Sequence, residues 1–410
     1  MLARRLIPAA TLILITLIAA ASTLWLRPAE ARLPDADFAM PMSAQAAQAA
    51  VAQAQARQQA QIATVSQQLG AIDPAHLPLT PSVYFAETGH HLSNRSGFLS
   101  FWRANGQKLL FGYPISEELV EGGRIVQYFE RARFEFHPEA FGGAGQVQLG
   151  LIGTDLAAHS LAANTLTGAA DPQSGESYFP ETSHSLGGAI RAYWERHGGI
   201  GIFGFPISEV LVEDGRTVQY FERARLEWWP EDVDSFFRDQ EAMRGFSLHT
   251  LYEVRVSDVG RRLAAARGLS IAPVAQLPGT ATWSPAIWTR HIDVDLSAQQ
   301  LVAYEGDLTV WHAPVATGRD GFDTPTGDFA IYYRVPMQDM TGSIGGESWY
   351  VPHIPWVQYI VGGVAFHGTY WHNAHGTGSR MSHGCVNLHI DDAEWLYEWA
   401  DIGTTVTIHY

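Results

Sequence analysis

The sequence predicts a multidomain chain in which two small α+β repeat modules precede a mostly-β domain. Three observations carry that reading. The segment FGYPISEELVEGGRIVQYFERARFEFHPE (111–139) recurs as FGFPISEVLVEDGRTVQYFERARLEWWPE (203–231), 92 positions later. From Arg290 onward, runs alternating apolar and polar residues are split by turn residues, a strand signature. The 410 residues are 46% hydrophobic and 11% aromatic, enough material for two or three cores of ordinary size.

At the N-terminus, Arg4 and Arg5 precede an uncharged apolar run from Leu6 to Leu26, and Ala29-Glu30-Ala31 supplies an A-x-A cleavage pattern. Residues 1–31 are therefore expected to be a signal peptide or a membrane anchor, and the remainder is expected to be exported. A net charge of −16 speaks against a nucleic-acid partner, which calls for clustered Lys and Arg. Residues 32–79 contain a stretch of almost pure Ala and Gln, with high helix propensity and no sizeable apolar face, which reads as a spacer.

The repeat modules are placed at 80–170 and 171–270. YFAETGHHL (84–92) matches YFPETSHSL (178–186), and Gly153-x-x-Leu156-Ala-Ala158 matches Gly260-x-x-Leu263-Ala-Ala265. The second copy is 15 residues longer between its Pro-Glu and this last motif, so it carries an insertion. Phe98, Phe101 and Trp102, like Ile190, Tyr193 and Trp194, follow helical spacing. Gly122-Gly123 and Asp214-Gly215 mark turns between extended segments. RARFEFHP and RARLEWWP alternate like half-buried strands. The charges Glu130, Arg131, Arg133 and Glu135, repeated as Glu222, Arg223, Arg225 and Glu227, are expected to pair across strands on the solvent side. In FGYP/FGFP and the QYF segment the units resemble LGFP-type repeats of exported bacterial cell-wall proteins. A Pro/Ala/Thr-rich stretch, 271–289, reads as a linker.

In the last domain, 290–410, Glu305-Gly306-Asp307 breaks a hairpin and Thr324-Pro-Thr-Gly-Asp-Phe329 makes a second turn leading into FAIYYRV. GVAFH and VTIHY are further strands. DDAEWLYEWA (391–400) alone has helical spacing, with Asp at its start to suit the helix dipole.

MSHGCVN (381–387) holds the only cysteine. A thiol titrating near its ordinary value is only a few per cent thiolate at neutral pH, so a nucleophilic cysteine wants a base beside it. Two histidines qualify. His383 lies two positions before Cys385, on the same face if the segment is extended. His367 ends an apolar strand that a neighbouring strand can bring alongside. Gly384 leaves room for a carbonyl, and the N–H groups of Gly384 and Cys385 are candidates for an oxyanion hole.

His367-Gly368-Thr369, followed after a gap by Ser382-His383-Gly384-Cys385-Val386-Asn387, resembles the signature of the L,D-transpeptidases (the YkuD-like domain). The upstream hairpins resemble that family's first strands. The resemblance implies a β-sandwich-like catalytic domain acting on peptidoglycan stem peptides, with no cofactor and no metal. It implies Cys385 as nucleophile and His367 as general base, with Ser382, His383 and Gly384 shaping the site. Asn387, Gly368 and Thr369 are implied substrate contacts; Asn387 stands where many members carry Arg, whose fork suits a carboxylate. The implied chemistry is a thioester intermediate resolved by an amine to give 3→3 cross-links. His372 and His375 in HNAH, with His353 and His389, raise metal binding as a rival, but no ligand set has metal spacing, and a cleft-lining loop is the preferred reading.

Overall fold

The computed structural model describes residues 82–139, 146–161, 176–244, 253–344 and 346–410. The expected signal peptide or anchor (1–31) and spacer (32–79) lie outside the described residues. Among the described residues no helix is long and apolar enough to cross a membrane.

The two repeat segments form matching sheets and exchange their end helices. In the first copy the strands Leu119–Glu121, Arg124–Tyr128, Arg133–His137 and Gln146–Leu149 form one antiparallel sheet. In the second copy Leu211–Glu213, Arg216–Tyr220, Arg225–Trp228 and Val254–Val256 repeat it. The helices Phe98–Ala104 and Gly188–Arg196 bury Trp102 and Trp194, whose indole N–H groups donate to the Gly112 and Gly204 carbonyls at 2.8 and 2.9 Å. Each copy ends in a helix, Ile152–Ser160 and Val259–Arg267, and each helix docks on the other copy. Gly153 and Thr154 N–H donate to the Glu222 carbonyl, while Gly260 and Arg261 N–H donate to the Glu130 carbonyl. One apolar cluster joins Val126, Tyr128, Ile152 and Leu156 of the first copy to Val218, Tyr220, Val259 and Leu263 of the second. The pair shares a core.

Several of the repeated charges fasten this interlock, and they are partly or fully buried. Arg261 reaches Glu130 at 2.7 Å, and Arg267 and Arg133 both reach Asp155, at 2.9 and 3.1 Å. Arg225 is only 3% exposed and pairs with Glu213 and Glu227. The stretch expected to be a linker is built in as well: Ala281–Thr282 adds a parallel strand beside Ser82–Phe85, and Trp283 stacks on Phe85 at 5.6 Å.

The C-terminal part has two sheets over one core. The first runs, in spatial order, Leu308–Pro314, Gln300–Glu305, Arg290–Asp295, Thr405–His409 and Gly327–Ala330. The second runs Tyr333–Ile344, Glu347–Val361, Val364–Gly368 and Val386–Leu388. FAIYYRV, read as a single strand, breaks at Ile331-Tyr332 and passes from one sheet to the other, because Ile331 and Tyr332 bond to Thr404 and Tyr359 instead. Ile292, Val294, Leu301, Phe366, Val386 and Leu388 fill the common core. The helix Ile390–Trp399 joins that core through Ala393, Leu396 and Trp399. Its acidic first turn is buried: Asp391 and Asp392 are gripped by Arg196 of the second repeat.

Candidate active site

The strand Val364–Gly368 is apolar up to its last two residues and pairs antiparallel with Glu347–Val361 on one side. On its other side it pairs in parallel with Val386–Leu388, with Phe366 opposite Val386, His367 opposite Asn387 and Gly368 opposite Leu388. Parallel pairing needs a crossover, and residues 369–385 supply it. Side chains alternate across a strand, so Phe366, Val386 and Leu388 face the core while Ala365, His367 and Asn387 face the other side. Cys385, two positions before Asn387, packs on that same side in a cluster with Ala365, Tyr332 and Val357. The sheet register thus brings the cysteine and His367 to one surface from opposite ends of the crossover.

The crossover is pinned against the strand end at Val315–Gly318. Gly376 N–H donates to Val315, and Met381 and Ser382 N–H donate to Thr317. The turn at Ser382–Cys385 is closed by its own serine, whose Oγ accepts from Gly384 N–H at 3.1 Å and donates to the Cys385 carbonyl at 2.5 Å. Gly384 sits at φ 116, a conformation that side chains oppose, which is why a glycine precedes the thiol. Thr324 Oγ1 donates to the Gly384 carbonyl at 2.9 Å and accepts from Gly318 N–H at 2.9 Å. Thr324 is a supporting residue that sequence reasoning passed over; its TPTGDF context was read only as a turn.

His367 is 3% exposed. Its Nδ1 donates to the Gly368 carbonyl at 3.1 Å, which leaves Nε2 as the basic nitrogen. Burial, with the nearby His372 adding to it, lowers its pKa to about 4, so the ring is neutral at neutral pH. The half-buried Cys385 thiol donates to the Gly363 carbonyl at 3.7 Å, and burial pushes its pKa up to about 11. At neutral pH Cys385 is therefore a thiol and His367 a neutral imidazole.

His383 is held apart from this pair. Its ring stacks on Trp349 at 4.0 Å and 8°, and Nε2 lies 3.1 Å from both Glu347 Oε1 and Arg319 Nη2. The turn at Gly384 is the physical reason that His383 and Cys385 do not share a strand face. The Gly384 N–H suggested for an oxyanion hole is engaged with Ser382 Oγ in this state. Thr369 Oγ1 donates to the Leu388 carbonyl at 3.1 Å and lies 2.7 Å from His375 Nε2. Gly368 fits tightly below Pro355 and Ile390. Asn387 is 1% exposed, and its amide lies 2.9 Å from His372 Nε2. His372, His375 and His389 form a row of tilted rings, with centroids 4.8 and 4.0 Å apart. Among the described residues no three His, Cys, Asp or Glu side chains are grouped to hold a metal ion.

Residues 289–408 match the family model of the YkuD L,D-transpeptidase catalytic domain. Curated relatives include a putative L,D-transpeptidase YkuD of Bacillus licheniformis, 31% identical over 118 residues, which are 29% of this chain and 64% of the relative. The YkuD and YciB proteins of Bacillus subtilis, also described as putative L,D-transpeptidases, are 28% and 27% identical, over 35% and 30% of this chain and 78% and 69% of their own lengths. The chain thus spans just under two thirds of the first of these relatives. Among solved structures, an L,D-transpeptidase from Mycobacterium smegmatis aligns over 46% of this chain and 91% of its own, at 18% identity and TM-score 0.27. The catalytic domain of an E. faecium L,D-transpeptidase aligns over 29% and 96%, at 24% identity and TM-score 0.27.

Proposed function

We propose that the L,D-transpeptidase-type domain at 289–408 makes this chain an exported enzyme that remodels peptidoglycan by acyl transfer through Cys385. The observation that supports the reading is the parallel register of Val364–Gly368 with Val386–Leu388, in which His367 lies opposite Asn387 while Cys385, just before the second strand, packs with Ala365. His367 Nε2 takes the thiol proton as Cys385 Sγ attacks the carbonyl of a stem tetrapeptide, at the bond between the third residue and the terminal D-alanine. The tetrahedral intermediate collapses, the D-alanine amine leaves with the proton from His367, and a thioester remains. An amine of a second stem peptide attacks the thioester and restores the thiol, giving a 3→3 link. Dividing one hard step into two is what covalent catalysis contributes. At neutral pH the buried His367 ring is neutral, with its proton on Nδ1 and Nε2 unprotonated to accept one from the thiol.

His383, Ser382 and Gly384 shape the turn that presents the thiol, and Gly368 and Thr369 fix the far edge of the cleft. Asn387, buried and bonded through its amide to His372, acts by holding that ring and does not touch the substrate as an arginine fork would. The interlocked repeats serve to hold the domain against the wall. The test is intact-mass analysis of the purified chain with a carbapenem, then with tetrapeptide stems. A single adduct lost in Cys385→Ala, and cross-linked dimers as product, support the reading. Trimmed stems alone would make the enzyme a carboxypeptidase. No adduct on a folded protein would refute acyl transfer and leave a wall-binding scaffold.

A further inference from the structure

The insertion that sets the second repeat apart from the first is spent outside the repeat. It contains the helix Ser235–Arg244, started by Asp234, whose carboxylate accepts from Phe236 N–H at 2.8 Å. Val233 and Phe237 are each 6% exposed, and the residues they bury against are Tyr370 and Ile390, flanked by Trp356 and Trp371. Phe236 stacks on His353 at 4.5 Å and meets Tyr370 edge-on at 5.0 Å. Arg244 Nη1 donates to the Trp371 carbonyl at 3.3 Å. Tyr370 and Trp371 open the crossover that follows His367, and the Trp371 ring lies 5.8 Å from His367 and 6.1 Å from His372. His353 and Trp356, which pack against the insertion, both adopt positive φ (52 and 60), a cost that only firm packing sustains.

We infer that the helix Ser235–Arg244 is a positioning element of the acyl-transfer site, fixing the loop Tyr370–Gly376 that carries His372 and walls His367. This rests on the proposed function for its catalytic arm. A crossover of this length is mobile unless its side chains are packed. The described contacts on Tyr370 and on the Trp371 carbonyl come in good part from the insertion. The catalytic face is then completed by a segment more than a hundred residues upstream, and the second repeat takes part in the site.

The test uses the full chain with Phe236→Ala, Arg244→Ala and the conservative Phe236→Tyr. Arg244 is exposed, so its variant keeps the fold if the Phe236 variant does not. Hydrogen exchange reads the amides of Ala374, Gly376 and Thr377, each bonded within the loop or to its anchor. Exchange there is expected to rise about tenfold in both alanine variants and to stay near wild type in Phe236→Tyr. kcat for tetrapeptide acylation is expected to fall about tenfold with little change in KM, while alkylation of Cys385 by iodoacetamide keeps its rate. Unchanged exchange in the loop overturns the inference, whatever the activity. A wild-type chain that acylates no substrate refutes the proposed function, and the exchange result still decides this one.

Discussion

Arg196→Ala tests whether the second repeat braces the helix Ile390–Trp399. The guanidinium bonds Asp391 through Nε and Asp392 through Nη2, and the two carboxylates are 2% and 4% exposed. Burial raises the pKa of both, and Arg196 is the main influence pulling them back. Removing it leaves two adjacent buried carboxylates with Trp311 Nε1 at 3.1 Å and His197 at 3.6 Å as partial support. Breaking such a buried pair costs about 3–5 kcal/mol. For a unit of this size that is roughly 6–10 °C in Tm. The sign with pH follows from the raised pKa values. A carboxylate whose folded pKa lies above its unfolded one favours folding at low pH and loses that contribution as pH rises. The loss in Arg196→Ala should therefore be largest near pH 8 and shrink toward pH 5. Adding Asp391→Asn and Asp392→Asn should recover most of it. Thermal and denaturant melts of wild type, single and triple variants at both pH values make the measurement. A loss under about 1 kcal/mol at pH 8 would show that the clamp is not part of the folded protein in solution.

Acidification should weaken the active-site region through His367 and His372, both lowered to about 4 from 6.5 by burial. The unfolded chain protonates first, so the contribution is complete above about pH 6.5 and is lost as pH falls toward 4. His367 alone accounts for about 2 kcal/mol at pH 5, read as the difference in pH slope between wild type and His367→Gln. The acylation rate should likewise be flat near neutrality and fall as pH drops toward 4. Thr324→Val removes the hydroxyl that joins Gly318 N–H to the Gly384 carbonyl; it should cost about 2 kcal/mol and lower the acylation kcat, checked by melts and single-turnover kinetics. Gly260→Ala places a Cβ 1.8 Å from the Phe129 carbonyl oxygen and should cost more than about 3 kcal/mol, whereas Gly201→Ala, with open space around it, should melt like wild type.

The local elements were legible because their signals are local. Helical spacing at Phe98, Phe101 and Trp102, and the turns at Gly123 and Gly215, need only their own neighbours. The pairing that puts His367 beside Asn387 was open to inference only as a strand returning, since sequence does not carry register. What sequence reasoning missed was long-range. Nothing in IAPVAQLPGTATWSP distinguishes a free linker from a strand seated on Phe85. Arg133 and Arg225 alternate like solvent-facing charges, but Arg133 meets Asp155 of a later helix and Arg225 meets Glu213 and Ser257, partners that no local pattern announces. The insertion was visible as 15 extra residues, but its destination, Tyr370 and Trp371, is set by apolar surface on another part of the fold.

The exchange of end helices between the repeats bears on what a single copy would be. Alone, one copy would present an unfilled berth for a helix and carry a helix with no berth of its own. Two such molecules would satisfy each other as a symmetric dimer, in the manner of domain swapping. Joining them in one chain replaces an encounter between molecules with one between neighbours at high effective concentration. The tandem repeat is, in that sense, a dimer written into one gene, and its stability no longer depends on how much protein is present.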